Sequence, residues 1–160
     1  MISKKLVEAL NEQVNAEMWS ANLYLSMSVH FSKEGLDGFA SWMKAQYKEE
    51  MDHAFAFMDY IVKRGGEASI GQINVVPTGW GTPEEIFEHS YKHEIHISDM
   101  INKLTDFAAA EKDKATQDFL WGFVREQVEE EASAKAIVDK IKLAGTAGLL
   151  FLDAQLGARK

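Results

Sequence analysis

Four long amphipathic segments set what this chain of 160 residues can fold into. Each carries apolar side chains at spacings of three and four residues, which is the period of a helix with one buried face. The pattern predicts helices over about residues 4–32, 36–64, 83–110 and 114–144, with a short fifth helix over about 147–157. Short turns separate the helices of each pair, so we expect two antiparallel hairpins within one domain spanning residues 1–160.

The connection between the hairpins is long and irregular. Residues 65–81, "GGEASIGQINVVPTGWG", contain five Gly and one Pro and show no helical period. Seventeen extended residues reach ~56–60 Å, whereas a helix of 28 residues is ~42 Å long. The segment can therefore cross the whole bundle, which makes the second and third helices parallel. The sequence predicts an all-α four-helix bundle with one long crossover between the second and third helices.

Composition excludes several classes of protein. The chain has no Cys, which rules out disulfide frameworks and cysteine nucleophiles and favours a reducing, cytoplasmic location. Apolar runs are much shorter than the ~18 residues that a membrane span needs, so no membrane partner is expected. The net charge of −8 disfavours nucleic acid as a partner and favours cations.

Polar residues interrupt the buried stripe of every long helix at its middle. They are, in chain order, Glu17, Glu50, His53, Glu94, Gln127 and Glu130. In the first hairpin, 33 residues separate Glu17 from Glu50 and three more lead to His53. The second hairpin repeats the same two spacings. Each set therefore lies at one height in its hairpin, and the crossover brings the two sets together.

Four carboxylates and one imidazole in a small interior volume favour a metal centre. Unpaired buried carboxylates are costly, and most would have to be protonated unless a cation compensated them. Each of these residues alone fits a solvated acid or a hydrogen-bonded core histidine, but five at matching heights on four inward stripes do not. Oxygen-rich ligation with one His and no sulfur suits a pair of iron or manganese ions, and zinc can compete.

The chain resembles the bacterial non-haem ferritins over nearly its full length. The matching pieces are Glu17, Tyr24, "EEMDH" at 49–53, "YKHE" at 91–94, "EQVEEE" at 126–131 and the Gly-rich start of the fifth helix. The resemblance implies a ferritin-like fold and assembly into a hollow homo-24-mer. It also implies iron storage and ferroxidase activity, in which Fe2+ is oxidised to Fe3+ with O2 or H2O2 at a di-iron site and kept as ferric mineral inside the shell.

Residue roles follow from the same resemblance. It implies that the first iron is held by Glu17, Glu50 and His53, with Glu50 bridging, and the second by Glu94 and Glu130 beside Gln127. It also implies a third iron site, formed by Glu49, Glu126 and Glu129, although each of these acids equally fits a solvated helix face. We expect Asp52 to face solvent.

Three aromatic residues near the predicted ligands are Tyr24, His93 and His96. Tyr24 lies two helical turns from Glu17 on the same stripe. It is interpreted either as a core Tyr with a hydrogen-bonded hydroxyl or, from the resemblance, as a neighbour of the site that donates electrons. Only one neighbour of Glu94 can share its face, so His93 and His96 are interpreted as surface residues or distant neighbours of the metal ligands.

Rival functions remain at this stage. Bacterioferritins bind haem between subunits through a Met at the position of Met51, but they place a second Glu-x-x-His where this chain has Gln127 and Glu130, so haem is disfavoured. A ferritin-like di-iron enzyme that scavenges peroxide would keep its iron in place. A purely structural bundle, like the helical cytokines, would bind none. A DNA-protecting mini-ferritin is disfavoured by the net charge and by ligands that lie within one bundle.

Overall fold

Four helices contain most of residues 1–159, the part of the chain that the computed structural model describes. They are α1 (Lys4–Lys33), α2 (Asp37–Lys63), α3 (Pro83–Ala110) and α4 (Lys114–Gly157). Within residues 1–159 there is no strand, so the predicted all-α class is confirmed. None of the described helices is both long and apolar enough to cross a membrane.

Side-chain caps fix where three of the helices begin. In each case an oxygen accepts a hydrogen bond from a backbone N–H of the first turn, which would otherwise lack a partner. The capping residues are Ser3 for α1, Thr82 for α3 and Asp113 for α4. Pro83 occupies the first turn of α3, where its missing N–H costs nothing. The start of α3 thus agrees with the helix predicted over about residues 83–110.

The crossover between α2 and α3 runs along the whole of α1. Near its beginning, Asn11 Nδ2 donates a hydrogen bond of 2.9 Å to Glu67 O. Near its end, Ser26 Oγ donates one of 2.7 Å to Pro77 O. The crossover therefore follows the direction of α1, and α3 begins beside the end of α1. This makes α2 and α3 parallel and confirms the predicted topology.

A polar layer divides the interior into two apolar clusters. One cluster includes Met27, Phe31, Phe39 and Phe87. The other, at the opposite end of the bundle, includes Leu6, Leu10, Phe57 and Leu120. The middle of each helix passes between the clusters, where its inward side chains are Glu, Gln, His and Ser. Two apolar ends thus hold the four helices around a charged centre.

The end of α4 bends at Gly145 and continues as a terminal segment, residues 146–157, that packs on its own bundle. Gly145 has φ 60° and ψ −169°, which favours glycine. Leu152 and Leu156 are buried in the same cluster as Phe39, while Phe151 stays exposed. The terminal segment therefore contacts the chain's own bundle.

The terminal segment also caps α2, which has no side-chain cap from its own N-cap residue. Asp153 Oδ1 accepts a hydrogen bond of 2.8 Å from Phe39 N in the first turn of α2. Gly38 makes this approach possible, because a Cβ there would lie 1.7 Å from Asp153 O. The carboxylate thereby meets both the free N–H and the positive end of the helix dipole.

Candidate metal centre

Three of the predicted ligands come together in the polar layer. The ligand atoms of Glu17, Glu50 and His53 all lie within 4.8 Å of one another, the arrangement needed to hold a metal ion. Only 1%, 2% and 9% of these residues is exposed, respectively. Glu17 reaches the group from α1, while Glu50 and His53 lie one helical turn apart on α2. The first hairpin alone therefore builds this cluster.

The hydrogen bonds of the cluster leave one acceptor without a partner. His53 Nδ1 lies 3.2 Å from Glu50 Oε2, and His53 Nε2 lies 2.9 Å from Glu126 Oε1. Gln13 Nε2 donates to Glu17 Oε1 at 3.0 Å. The other oxygen, Glu17 Oε2, is buried without a hydrogen bond, and its distance of 3.7 Å to His53 Nδ1 is too long for one. A buried carboxylate oxygen of this kind fits a cation.

The charges of the cluster are mutually dependent. Burial and the charge of Glu17 raise the pKa of Glu50 well above its ordinary value. Burial alone would lower the pKa of His53, but its hydrogen bonds to Glu126 and Glu50 and the nearby carboxylate of Glu17 raise it strongly. Burial also acts to raise the pKa of Glu17, but its contacts with His53 outweigh that effect and lower it. Without a metal, protons and the imidazolium supply the compensating positive charge.

Glu94 is held on the opposite side of the polar layer by neutral donors. The Tyr24 hydroxyl donates to Glu94 Oε1, and Gln127 Nε2 donates to Glu94 Oε2 at 3.1 Å. Ser90 Oγ in turn donates to the Tyr24 hydroxyl at 3.3 Å. Burial raises the pKa of Glu94, while the two hydrogen bonds act against that rise. Tyr24 is thus a buried neighbour of a predicted ligand, as both interpretations of it require.

Glu130 completes the set from α4 but stands apart from the cluster. Its Oε2 accepts a hydrogen bond of 3.2 Å from Gln46 Nε2. Burial and the charge of Glu94 raise the pKa of Glu130 to about 7. The structure thus places Glu94 and Glu130 in the same polar layer, each with its own hydrogen-bond partners, but outside the three-residue cluster of Glu17, Glu50 and His53.

The three acids predicted for a third site have different surroundings. Glu126 is half-buried, and its hydrogen bond to His53 lowers its pKa. Glu49 is also half-buried and forms an ion pair of 2.9 Å with Arg159. Glu129 is exposed, and so is Asp52, as expected. The structure therefore ties two of the three acids to other residues, and their use as one site stays a prediction.

His93 is not on the surface, which leaves the second of its two interpretations, a neighbour of the metal ligands that is not itself one of them. It is buried, and its Nε2 lies 2.7 Å from Ser20 Oγ. Burial and the neighbouring His96 lower its pKa to about 4. α3 contacts both α1 and α4, so two successive positions, 93 and 94, face neighbouring helices. His96 is exposed, in agreement with the prediction.

Three neutral residues that hydrogen-bond to the predicted ligands were not among the site residues predicted from the sequence. Gln13, Gln46 and Ser90 are all buried and hydrogen-bond to predicted site residues. Each lies on the same inward stripe as the acids, so a polar residue on a core stripe is the signal that could have found them. Their role is to orient carboxylates with donors that carry no charge.

Fold and centre together define a four-helix bundle with a carboxylate and histidine cluster in its interior. The family model described as a ferritin-like domain matches residues 7–144, and the chain belongs to this ferritin family. It is 67% identical over 159 residues to a bacterial non-heme ferritin of Bacteroides fragilis, covering 99% of this chain and 100% of the relative. The predicted resemblance to bacterial non-haem ferritins is confirmed.

More distant relatives agree along nearly the whole chain. A bacterial non-heme ferritin of Campylobacter jejuni is 40% identical over 148 residues, which cover 92% of this chain and 89% of the relative. Among solved structures, an open pore ferritin from the hyperthermophilic archaeon Archaeoglobus fulgidus is 47% identical. It superimposes with a TM-score of 0.98, covering 100% of both chains.

Proposed function

We propose that this protein stores iron in the cytoplasm as the subunit of a hollow homo-24-mer and oxidises Fe2+ at the centre within each bundle. Membership of the ferritin family supports storage. The observation that carries the site is the cluster of Glu17, Glu50 and His53, in which a buried carboxylate oxygen has no hydrogen-bond donor. Such an oxygen is costly in a metal-free interior and is satisfied when a cation binds.

In this proposal Glu17, Glu50 and His53 hold the first iron, and Glu94 and Glu130 hold the second. Each Fe2+ gives up one electron. O2 accepts the pair of electrons with two protons to form H2O2, or H2O2 accepts them with two protons to form two molecules of water. The metal ions supply this redox chemistry, which protein side chains cannot.

The protein's own groups prepare the site for its substrate. Divalent iron must compete with protons at this site, because the pKa values of His53 and Glu50 are both raised in the metal-free protein. Tyr24 and Gln127 hold the Glu94 carboxylate in a fixed orientation. In this proposal Tyr24, which hydrogen-bonds to the ligand Glu94, is also the candidate electron donor, and Gln127 takes the place beside the second iron.

The proposed metal positions differ in their ligands. The second position has no His among its ligands, so we propose that it holds iron more loosely than the first, which suits iron that passes on to a mineral. Glu49, Glu126 and Glu129 then form the third site. Zinc and manganese are expected to substitute for iron, since all three accept carboxylate and imidazole ligands, and haem is not part of the proposal.

The test is the mass of the native protein by size-exclusion chromatography with light scattering, followed by aerobic addition of Fe2+. We expect a 24-mer that remains in solution while it takes up far more than two iron ions per chain. The variant Glu17→Gln should lose the fast phase of iron oxidation, and Glu12→Gln, an exposed position on α1, should keep it. A monomer or dimer that precipitates iron would exclude storage in a cage. Oxidised iron that stays at two ions per chain would favour a peroxide-scavenging enzyme.

A further inference from the structure

The last described residue, Arg159, reaches back to α2 and holds one of the acids of the third site. Its Nη2 donates to Glu49 Oε1 at 2.9 Å and to Gln46 Oε1 at 2.5 Å. Its Nη1 donates to Trp42 O at 3.2 Å, and the guanidinium lies 4.5 Å from the centroid of the Trp42 ring. An arginine with three acceptors and an aromatic face is a specific contact and not a mobile surface charge.

The terminal segment fixes where this arginine stands. Leu152 and Leu156 are buried in the core, and Asp153 caps α2 at Phe39. These contacts end three residues before Arg159, so the guanidinium is delivered to α2 by a docked helix. Its side chain is 22% exposed, compared with 42% for Glu49. The ion pair is therefore partly shielded from solvent.

A short chain of hydrogen bonds continues from Arg159 to a predicted iron ligand. Gln46 accepts from Arg159 through its amide oxygen, so its amide nitrogen is turned the other way and donates to Glu130 Oε2 at 3.2 Å. Arg159 thus fixes which end of the Gln46 amide faces Glu130. The charge of Glu49 also contributes to the raised pKa of Glu130. Arg159 therefore contacts Glu49 of the third site directly and is linked to Glu130 of the di-iron centre through Gln46.

We propose that Arg159 is an internal cation that competes with iron for Glu49 and so sets the affinity of the third site. The guanidinium and a metal ion cannot both use the same carboxylate oxygen, and two positive charges in one place repel each other. Iron entering the third site must therefore displace Arg159 from Glu49. This keeps the third site weak and favours release of iron, and the inference rests on the di-iron function proposed above.

The experiment is calorimetric titration of the metal-free native assembly with Zn2+, which needs no redox reaction. Wild type is compared with Arg159→Gln, Arg159→Lys and Lys48→Gln. Lys48 is the exposed neighbour of Glu49 on α2, and its substitution changes the net charge by the same amount. We expect Arg159→Gln to bind Zn2+ at the third site about fivefold more tightly, the change that follows from loss of a partly exposed ion pair. The first position of the di-iron centre, whose ligands Arg159 does not contact, should keep its affinity.

The other variants separate competition from structural damage. Lys48→Gln should resemble wild type, because it removes a charge without freeing Glu49. Arg159→Lys should lie between wild type and Arg159→Gln, because it keeps the charge but loses the fork geometry and the stacking on Trp42. Unchanged third-site affinity in Arg159→Gln, or no third site in any variant, would overturn the inference, while tight binding at the first position would leave the di-iron centre standing. Failure of wild type to bind Zn2+ tightly at the first position would instead refute the proposed centre itself.

Discussion

Glu50→Gln should stabilise the metal-free protein while it destroys the proposed centre. Glu50 is 2% exposed, and burial together with the charge of Glu17 raises its pKa well above 4.5. Glutamine has nearly the same shape and can still accept the hydrogen bond from His53, but it carries no charge to desolvate. The substitution thus removes the cost of a buried acid without opening a cavity.

The magnitude follows from linkage. An acid with a raised pKa in the folded state loses its proton first in the unfolded state, so folding becomes less favourable as the pH rises above 4.5. Between pH 4.5 and 7 the cost cannot exceed about 3.4 kcal/mol, at 1.36 kcal/mol per pH unit. His53 loses one of its carboxylate partners, which offsets part of the gain. We expect a net stabilisation of about 1–3 kcal/mol at pH 7 and almost none at pH 4.

The assay is thermal unfolding followed by circular dichroism, with the protein freed of metal by a chelator. A gain of this size raises the melting temperature by about 3–10 °C in a chain of this length. Asp52→Asn, on the exposed side of α2, controls for the change in net charge. An equal or lower melting temperature of Glu50→Gln at pH 7, or a gain that persists at pH 4, would refute the reasoning. In the same variant, added Fe2+ should no longer raise the melting temperature.

Three further predictions concern neighbouring groups. Tyr24→Phe removes the hydroxyl that donates to Glu94, so the pKa of Glu94 should rise further and Zn2+ binding at pH 6 should weaken in calorimetry; an unchanged affinity would exclude this role. Asp153→Ala removes the cap on Phe39 N, which should cost about 1 kcal/mol and lower the melting temperature by about 2–4 °C; the same melting temperature as wild type would show that the cap adds nothing. His53 has a raised pKa, so Zn2+ should release at least about one proton per chain at pH 7 and bind more tightly as the pH rises. Calorimetry in buffers of different ionisation enthalpy measures that release, and its absence would contradict a charged His53.

Residues along each helix could be assigned from the sequence because helical periodicity is a local property. The stripe through Glu17 and Tyr24 predicted two residues that are both buried. The start of the third helix at residue 83 could be predicted for the same reason, since capping involves only residues within one turn. The length of the crossover predicted the topology, because a connection between two parallel helices must be long enough to run the length of the bundle.

Contacts between side chains of different helices could not be predicted from helical periodicity. The stripe of α3 placed Glu94 inward and left His93 either on the surface or as a distant neighbour of the ligands, but α3 meets two neighbouring helices and buries both side chains. The resemblance implied a common site for Glu49 and Glu126, and it could not show that one forms an ion pair with Arg159 and the other hydrogen-bonds to His53. Arg159 is 110 residues from Glu49, and no local pattern connects them.

The sequence by itself determined the helices, the crossover and the height at which charged residues enter the core. The tertiary structure decided which acid receives a proton donor, which receives a counter-ion and which oxygen is left open at Glu17. The physical reason is one of range. Helix period and capping are set within four residues, whereas the partner of a buried charge depends on the rotation and separation of helices distant in sequence.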